Sequence, residues 1–218
     1  MSMSPSPTTR MPRAQRRTQL LELATQVFTR KGYHGTSMDD IAAAAGVTKP
    51  VLYQHFDSKV TLYLEVIDII AVGLLAEVRE IGAFEGDTTQ RVRYGITRFY
   101  ELISVQNALR LFTGNESISD EVQERASAVL DQMAIDLAEV LTAFREMSTA
   151  QSRIIGRGLI AATQTTALLL HDAQDDVERE EILEVTSAFM VHGLAGFTPR
   201  EGTAATGSAL GADAPSSS

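Results

Sequence analysis

Cysteine is missing from all 218 residues of the chain. That removes disulfides, thiolate metal sites and cysteine nucleophiles together, and it fits the reducing cytoplasm, where the protein is expected to reside. No run of about eighteen apolar residues occurs, so neither a membrane span nor a membrane partner is expected. The first dozen residues hold Ser, Pro, Thr and Arg without an apolar stretch, unlike a secretory signal. There is no Gly-x-Ser-x-Gly elbow and no Walker loop. His34, His55, His171 and His192 are scattered, with no carboxylate or second His at ligand spacing. No catalytic residue, no metal site and no required cofactor are therefore expected. Gly156-Arg157-Gly158-Leu159-Ile160-Ala161 matches a dinucleotide-binding glycine pattern but has no preceding strand, which makes it a helix-packing segment. The acids between Asp172 and Glu181 suit a solvated loop and a helix start, where the dipole favours negative charge.

Lysine is scarce too, and its placement is informative. All three lysines lie in the first 60 residues (Lys31, Lys49, Lys59). That segment has eight basic and four acidic side chains, a net +4, while the remainder has 11 basic and 24 acidic, a net −13. A small basic head on an acidic body is the footprint of local phosphate binding, with the body repelled by nucleic acid and the head so oriented.

An apolar fraction of 44% supplies a sizeable core. From about Pro12, Leu20, Leu21, Ala24, Val27 and Phe28 recur at helical spacing, and Gly32 follows the basic pair Arg30-Lys31 as a stop. Ser37 with Asp40 three residues on begins a second helix, with Met38, Ile41, Ala42 and Ala45 inward and Gly46 at its end. Thr48 is expected to cap a third short helix, with Pro50 in its first turn and Val51, Leu52 and Phe56 buried. Asp57 or Ser58 caps a long helix to about Ile81. Further helices are predicted over 88–105, 107–114, 119–147, 150–172 and 176–196. No strand-like alternation appears. The fold class is all-α, about nine helices. The expected organisation is a flexible basic arm over 1–12, a helix-turn-helix over 13–60, a ligand-binding and dimerisation bundle over 61–197, and a disordered tail over 198–218.

The stretch from Thr36 to Phe56 carries the chemistry. Two short helices meet at Gly46-Val47, where glycine allows a left-handed corner and alanines allow close approach. The second would enter the major groove of DNA. Lys49 suits a guanine edge or a phosphate, and Thr48 with the helix start suits a phosphate. Pro50, Tyr53, Gln54 and His55 share the exposed side. Lys59, Thr36, Ser37, Arg16 and Arg17 flank it. A Ser cap, an Ala-rich helix and a Thr cap also occur in ordinary bundles, so spacing alone leaves plain packing open.

Residues 13–63 resemble the DNA-binding domain of the tetracycline-repressor (TetR) family. The matching pieces are Ala24, Phe28, Gly32-Tyr33, the segment Thr36 to Ala42, Gly46-Val47-Thr48-Lys49, Leu52 to Phe56, and Ser58 to Leu62. The resemblance implies an all-α homodimer on a palindromic double-stranded operator, with DNA contacts at Thr48, Lys49, Tyr53, His55 and Lys59. A finer resemblance rests on Arg16-Arg17, Gly32-Tyr33-His34, Lys49 to Phe56 and Leu62-Tyr63-Leu64. More loosely it includes Leu109 to Phe112 and His192-Gly193-Leu194. It points to actinobacterial regulators of fatty acid synthase genes, which implies a long-chain acyl-CoA or fatty acid effector.

In the body, Val92, Ile96, Phe99 and Ile103 share one helix face, and Phe112, Met133, Leu137, Leu159 and Thr163 could close a pocket around an acyl chain. Each could equally be plain core. Small residues on the last two helices, among them Gly158, Ala162, Thr166 and Gly193, together with Phe189, suit a four-helix dimer interface. Two other functions remain open: a regulator of efflux or catabolic genes sensing another apolar molecule, and a helical lipid carrier.

Overall fold

The computed structural model describes residues 12–105, 112 and 118–200. Among these there are eight helices: α1 Arg13–Lys31, α2 Met38–Ala44, α3 Lys49–Tyr53, α4 Lys59–Ala83, α5 Thr88–Val105, α6 Asp120–Phe144, α7 Thr149–Asp172 and α8 Asp176–Ala195. The expected helix 107–114 lies outside the described residues except for Phe112, which is helical and buried. The expected arm lies outside them except for Pro12.

The chain forms two compact units, and they do not follow the expected boundary at residue 60. One comprises the chain up to Gly73 with Leu102–Ala128; the other comprises Leu74–Glu101 with everything from Val129 onward. Helices α4, α5 and α6 each divide their residues between the two.

In the first unit, α1 packs on α2 and α2 on α3. Gly32 and Gly46 have φ of 67° and 63°, the left-handed values that both stops require. Ser37 makes both capping-box bonds with Asp40. Ser58 Oγ accepts from the Thr61 N–H at 3.0 Å, which makes it the cap of α4. Thr48 departs from expectation: it stands at the N-cap of α3 but its side chain makes no capping bond. Leu20, Phe28, Ile41, Leu52, Phe56 and Leu62 are the buried centre. Tyr63 packs in tilted contact with both Phe28 and Tyr33, with centroids at 4.8 and 4.9 Å.

In the second unit, Ile96, Leu170 and Met190 form a core against which Val92, Tyr100, Leu159, Ala162, Ile182 and Leu183 pack. Ser148 and Gln151 form a complete capping box at the start of α7, and Asp175 caps α8 by accepting from the Glu178 N–H. α7 crosses α6 at contact distance because Gly156 has no side chain: a Cβ there would lie 2.6 Å from the Ala134 carbonyl oxygen. Residues 198–200, expected in the tail, are ordered. Glu146 N–H donates to the Thr198 carbonyl at 2.8 Å, Arg200 N–H donates to the Phe144 carbonyl at 3.0 Å, and Arg145 and Pro199 form a lone antiparallel bridge.

Candidate nucleic-acid interface and effector cavity

The polar side of α3 faces solvent. Thr48, Lys49, Pro50 and Gln54 are exposed, and Tyr53 is 42% exposed despite its size. The hydroxyl that Thr48 does not spend on capping is therefore available to a ligand. Lys49 Nζ lies 2.8 Å from Asp39 Oδ2 on α2, and that hydrogen bond pushes the lysine pKa up. Both partners are well exposed, so docking on a phosphate or base edge would break a weak pair. Ser37 is exposed, with its hydroxyl shared with Asp40. His55 is half-buried. Its Nδ1 is sealed from solvent without a partner, and burial first, then Arg13, Arg17 and Arg16, lower its pKa.

Four of the expected flanking residues are otherwise engaged. Thr36 is only 3% exposed, and its hydroxyl donates to the Gly32 carbonyl at 2.7 Å, so its side chain is not on the surface. Lys59 Nζ donates to the Thr36 carbonyl at 2.7 Å and sits 4.0 Å above the Tyr33 ring; burial lowers its pKa. Arg17 pairs with Glu65 and lies over the Phe56 ring at 4.8 Å, which ties α1 to α4 and to the turn that follows α3. Arg16 donates to Gln19 at 3.0 Å. Arg13, not singled out from sequence, donates to the Gln54 carbonyl at 3.2 Å. Asp39, the partner of Lys49, was also missed. Its ten-residue separation is no helical period, so only the fold brings the two together.

The second unit contains a predominantly apolar cavity of about 100 Å3. Of the nine expected pocket residues, Val92, Ile96, Phe99, Met133, Leu137, Leu159 and Thr163 line it. Ile103 and Phe112 do not; both are fully buried in the first unit, where they serve as core. Sequence reading missed Thr88, Arg91, Gly95, Phe144, Arg145 and Met190. Thr88 and Gly95 sit on the same stripe of α5 as Val92, Ile96 and Phe99 at helical spacing, a signal hidden because one is polar and the other lacks a side chain.

The expected dimer residues divide. Thr166 is buried, with its hydroxyl donating to the Ala162 carbonyl, and Ala162 packs on the core of its own unit. Both face inward, because α7 is apolar on two sides. Gly158 and Gly193 are open, and Phe189 is 73% exposed. Among the described residues, no helix is long and apolar enough to cross a membrane, and no cluster of potential metal ligands occurs.

A helix-turn-helix with its second helix bared, in a chain whose other unit holds a partly open apolar cavity, is the arrangement of a DNA-binding regulator. Residues 20–66 match bacterial regulatory proteins of the tetR family. The HTH-type transcriptional activator FasR of Mycolicibacterium smegmatis is 32% identical over 187 residues, 85% of each chain. The crystal structure of a tetR-family regulator from Streptomyces coelicolor shares the fold, with a TM-score of 0.68, 21% identity, and coverage of 85% of this chain and 84% of that one. So does the regulator FadR of Bacillus subtilis in complex with stearoyl-CoA, with a TM-score of 0.59, 16% identity, and coverage of 78% and 97%. The chain belongs to the tetR family. It is a DNA-binding transcription regulator and not an enzyme, and the lipid-carrier reading gives way to it. Regulators of this family act as dimers on operators and answer to small molecules.

Proposed function

We propose that this regulator controls lipid-metabolism genes in the cytoplasm, binding a palindromic operator as a homodimer whose DNA affinity changes when a long-chain acyl-CoA or similar apolar effector enters the cavity. The observation that carries the effector half is the cavity wall: Ile96, Phe99, Met133, Leu137 and Leu159 offer aliphatic, thioether and aromatic surface rather than the dense polar contacts a compact hydrophilic ligand needs. FasR is a relative matched over 85% of the chain, and FadR, which shares the fold, is in complex with stearoyl-CoA. At about 100 Å3 the space is of the order of engineered apolar cavities that take up benzene, so a long chain would widen it or extend out of it. Such an opening is the differential contact that lets a ligand shift a conformational equilibrium.

The DNA half rests on the bared face of α3, with Thr48, Lys49, Pro50, Tyr53 and Gln54 as the contacts and Ser37, His55, Arg16 and Arg17 around them. The twofold contact would lie on an outward stripe: Ile154, Gly158, Ala161, Thr165 and Leu169 on α7, with Val185, Phe189 and Gly193 on α8. The test is operator binding with duplexes selected from a random pool. Affinity should fall steeply with salt, as counterion release requires. Lys49→Ala should cost about 1–3 kcal/mol if the lysine reads a base. Palmitoyl-CoA or oleoyl-CoA should shift the midpoint. An unchanged midpoint with every acyl ligand removes the lipid effector and leaves the DNA-binding role standing.

A further inference from the structure

The cavity is not apolar throughout. Arg91 and Arg145 both line it, Arg91 from the first turn of α5 and Arg145 from just past the end of α6. The Arg91 guanidinium stands 4.1 Å above the Phe144 ring, and Arg145 Nη2 donates to Thr88 Oγ1 at 3.1 Å. Arg93, Arg98 and Arg157 of the same unit have acidic partners in Glu180, in Glu77 with Glu101, and in Asp131, while Arg79 and Arg153, which lack one among the described residues, are exposed to water. The two arginines on the cavity have none within 4.0 Å among the described residues. Asp87, on the adjoining turn, commits Oδ1 to the Gln90 N–H and attracts Arg91 only at longer range.

Every acceptor the two guanidiniums have found is neutral. Arg91 donates to the Ile81 and Phe84 carbonyls at 3.1 and 2.8 Å, and Arg145 donates to the Phe197 carbonyl at 3.4 Å and to Thr88. A guanidinium carries five N–H donors, so both retain donors for a further partner. Burial lowers the Arg91 pKa, the mark of a cation short of compensation. Pinning the end of α4 and the segment after α8 accounts for the positions of these side chains. It does not account for two positive charges being set on one largely apolar space, an arrangement that an anion would complement.

We infer that Arg91 and Arg145 seat the anionic head of the effector, which is an amphipathic anion with an aliphatic chain along the cavity wall and its acidic end on the two guanidiniums. This rests on the effector role proposed for the cavity. A free fatty acid carboxylate and the phosphates of an acyl-CoA offer this chemistry from two sources.

Calorimetric titration of the full chain with palmitate, palmitoyl-CoA and uncharged 1-hexadecanol tests it, using wild type, Arg145→Gln, Arg145→Lys and Arg91→Gln. A charge-assisted hydrogen bond of the usual size gives an anionic probe about tenfold tighter binding than the alcohol, or more. Either glutamine variant should erase most of that preference while leaving hexadecanol binding unchanged, which also shows that the cavity is intact; Arg145→Lys should restore part of it. Preference for palmitate assigns the seat to a carboxylate. Preference for palmitoyl-CoA with palmitate no better than the alcohol assigns it to a phosphate. Equal binding of all three probes, or a preference untouched in both glutamine variants, overturns the anion seat while the apolar effector stands. Binding of none of them overturns the effector role itself.

Discussion

Ser37 and Thr48 stand at equivalent places, each the N-cap of a short helix of the head, yet they do different things. Ser37 holds the Asp40 amide and is held in return, whereas the Thr48 side chain caps nothing. Ser37→Ala should therefore lower stability by about 1 kcal/mol in denaturant unfolding. Thr48→Ala should leave the unfolding midpoint nearly unmoved and weaken operator binding, so the two assays separate a structural hydroxyl from a ligand-facing one. A second contrast is electrostatic. Glu77 accepts from Arg98 Nη2 at 2.7 Å and from the Tyr94 hydroxyl at 3.0 Å, and these bonds hold its pKa below the ordinary 4.5. A depressed carboxylate contributes stability that is present above the unfolded pKa and is lost as pH falls through the folded one. The stability gap between wild type and Glu77→Gln should thus be widest near neutrality and close below about pH 4.5. Arg98 is more than a third exposed, so solvent screening keeps the gap to about 1 kcal/mol or less.

Along the helices, two glycines two residues apart face opposite ways. Gly156 lies against the backbone of α6, where an added Cβ would meet the Ala134 oxygen at 2.6 Å, while Gly158 has nothing within 4 Å. Gly156→Ala should destabilise by about 1–2 kcal/mol, since overpacking against a carbonyl outweighs the roughly 1 kcal/mol of helix propensity gained. Gly158→Ala should raise the stability of an isolated protomer; thermal melts at matched dilution compare the two. Spacing shows α7 as a helix but not which of its faces is inner, because apolar and small residues run down both sides. That is why Ala162 and Thr166 were expected outside and lie inside. The head was legible because its signals are local: the stops at Gly32 and Gly46, the caps, and the stripe of α1 all act within a few residues. The Ser148-Gln151 box is equally local but went unread, and the helix expected from 150 begins at Thr149. Nothing local announces that Arg91 and Arg145, more than fifty positions apart, share one cavity, or that Lys59 turns back to the Thr36 carbonyl.

For the whole molecule, the charge division seen in the sequence and the bare apolar stripe point to separate partners, operator DNA for one and a second copy for the other. The stripe is testable by itself. Phe189 is 73% exposed with Val185 at 61% on the same helix, an arrangement a lone protomer gains nothing from. Phe189→Glu should shift the protein from dimer to monomer in analytical ultracentrifugation, keep its helical circular dichroism, and lose tight operator binding because a single head makes half the contacts.

The pairing of residues 145–146 with 198–200 has one more consequence. Arg145 grips the Phe197 carbonyl by its longest hydrogen bond, 3.4 Å, while two main-chain bonds nearby clasp the segment after α8. A guest that draws the guanidinium toward itself would loosen that grip first. The peptide hydrogens of Glu146 and Arg200 would then trade with deuterated solvent faster in the loaded protein than in the empty one, a gauge of occupancy read at two amides that do not line the cavity.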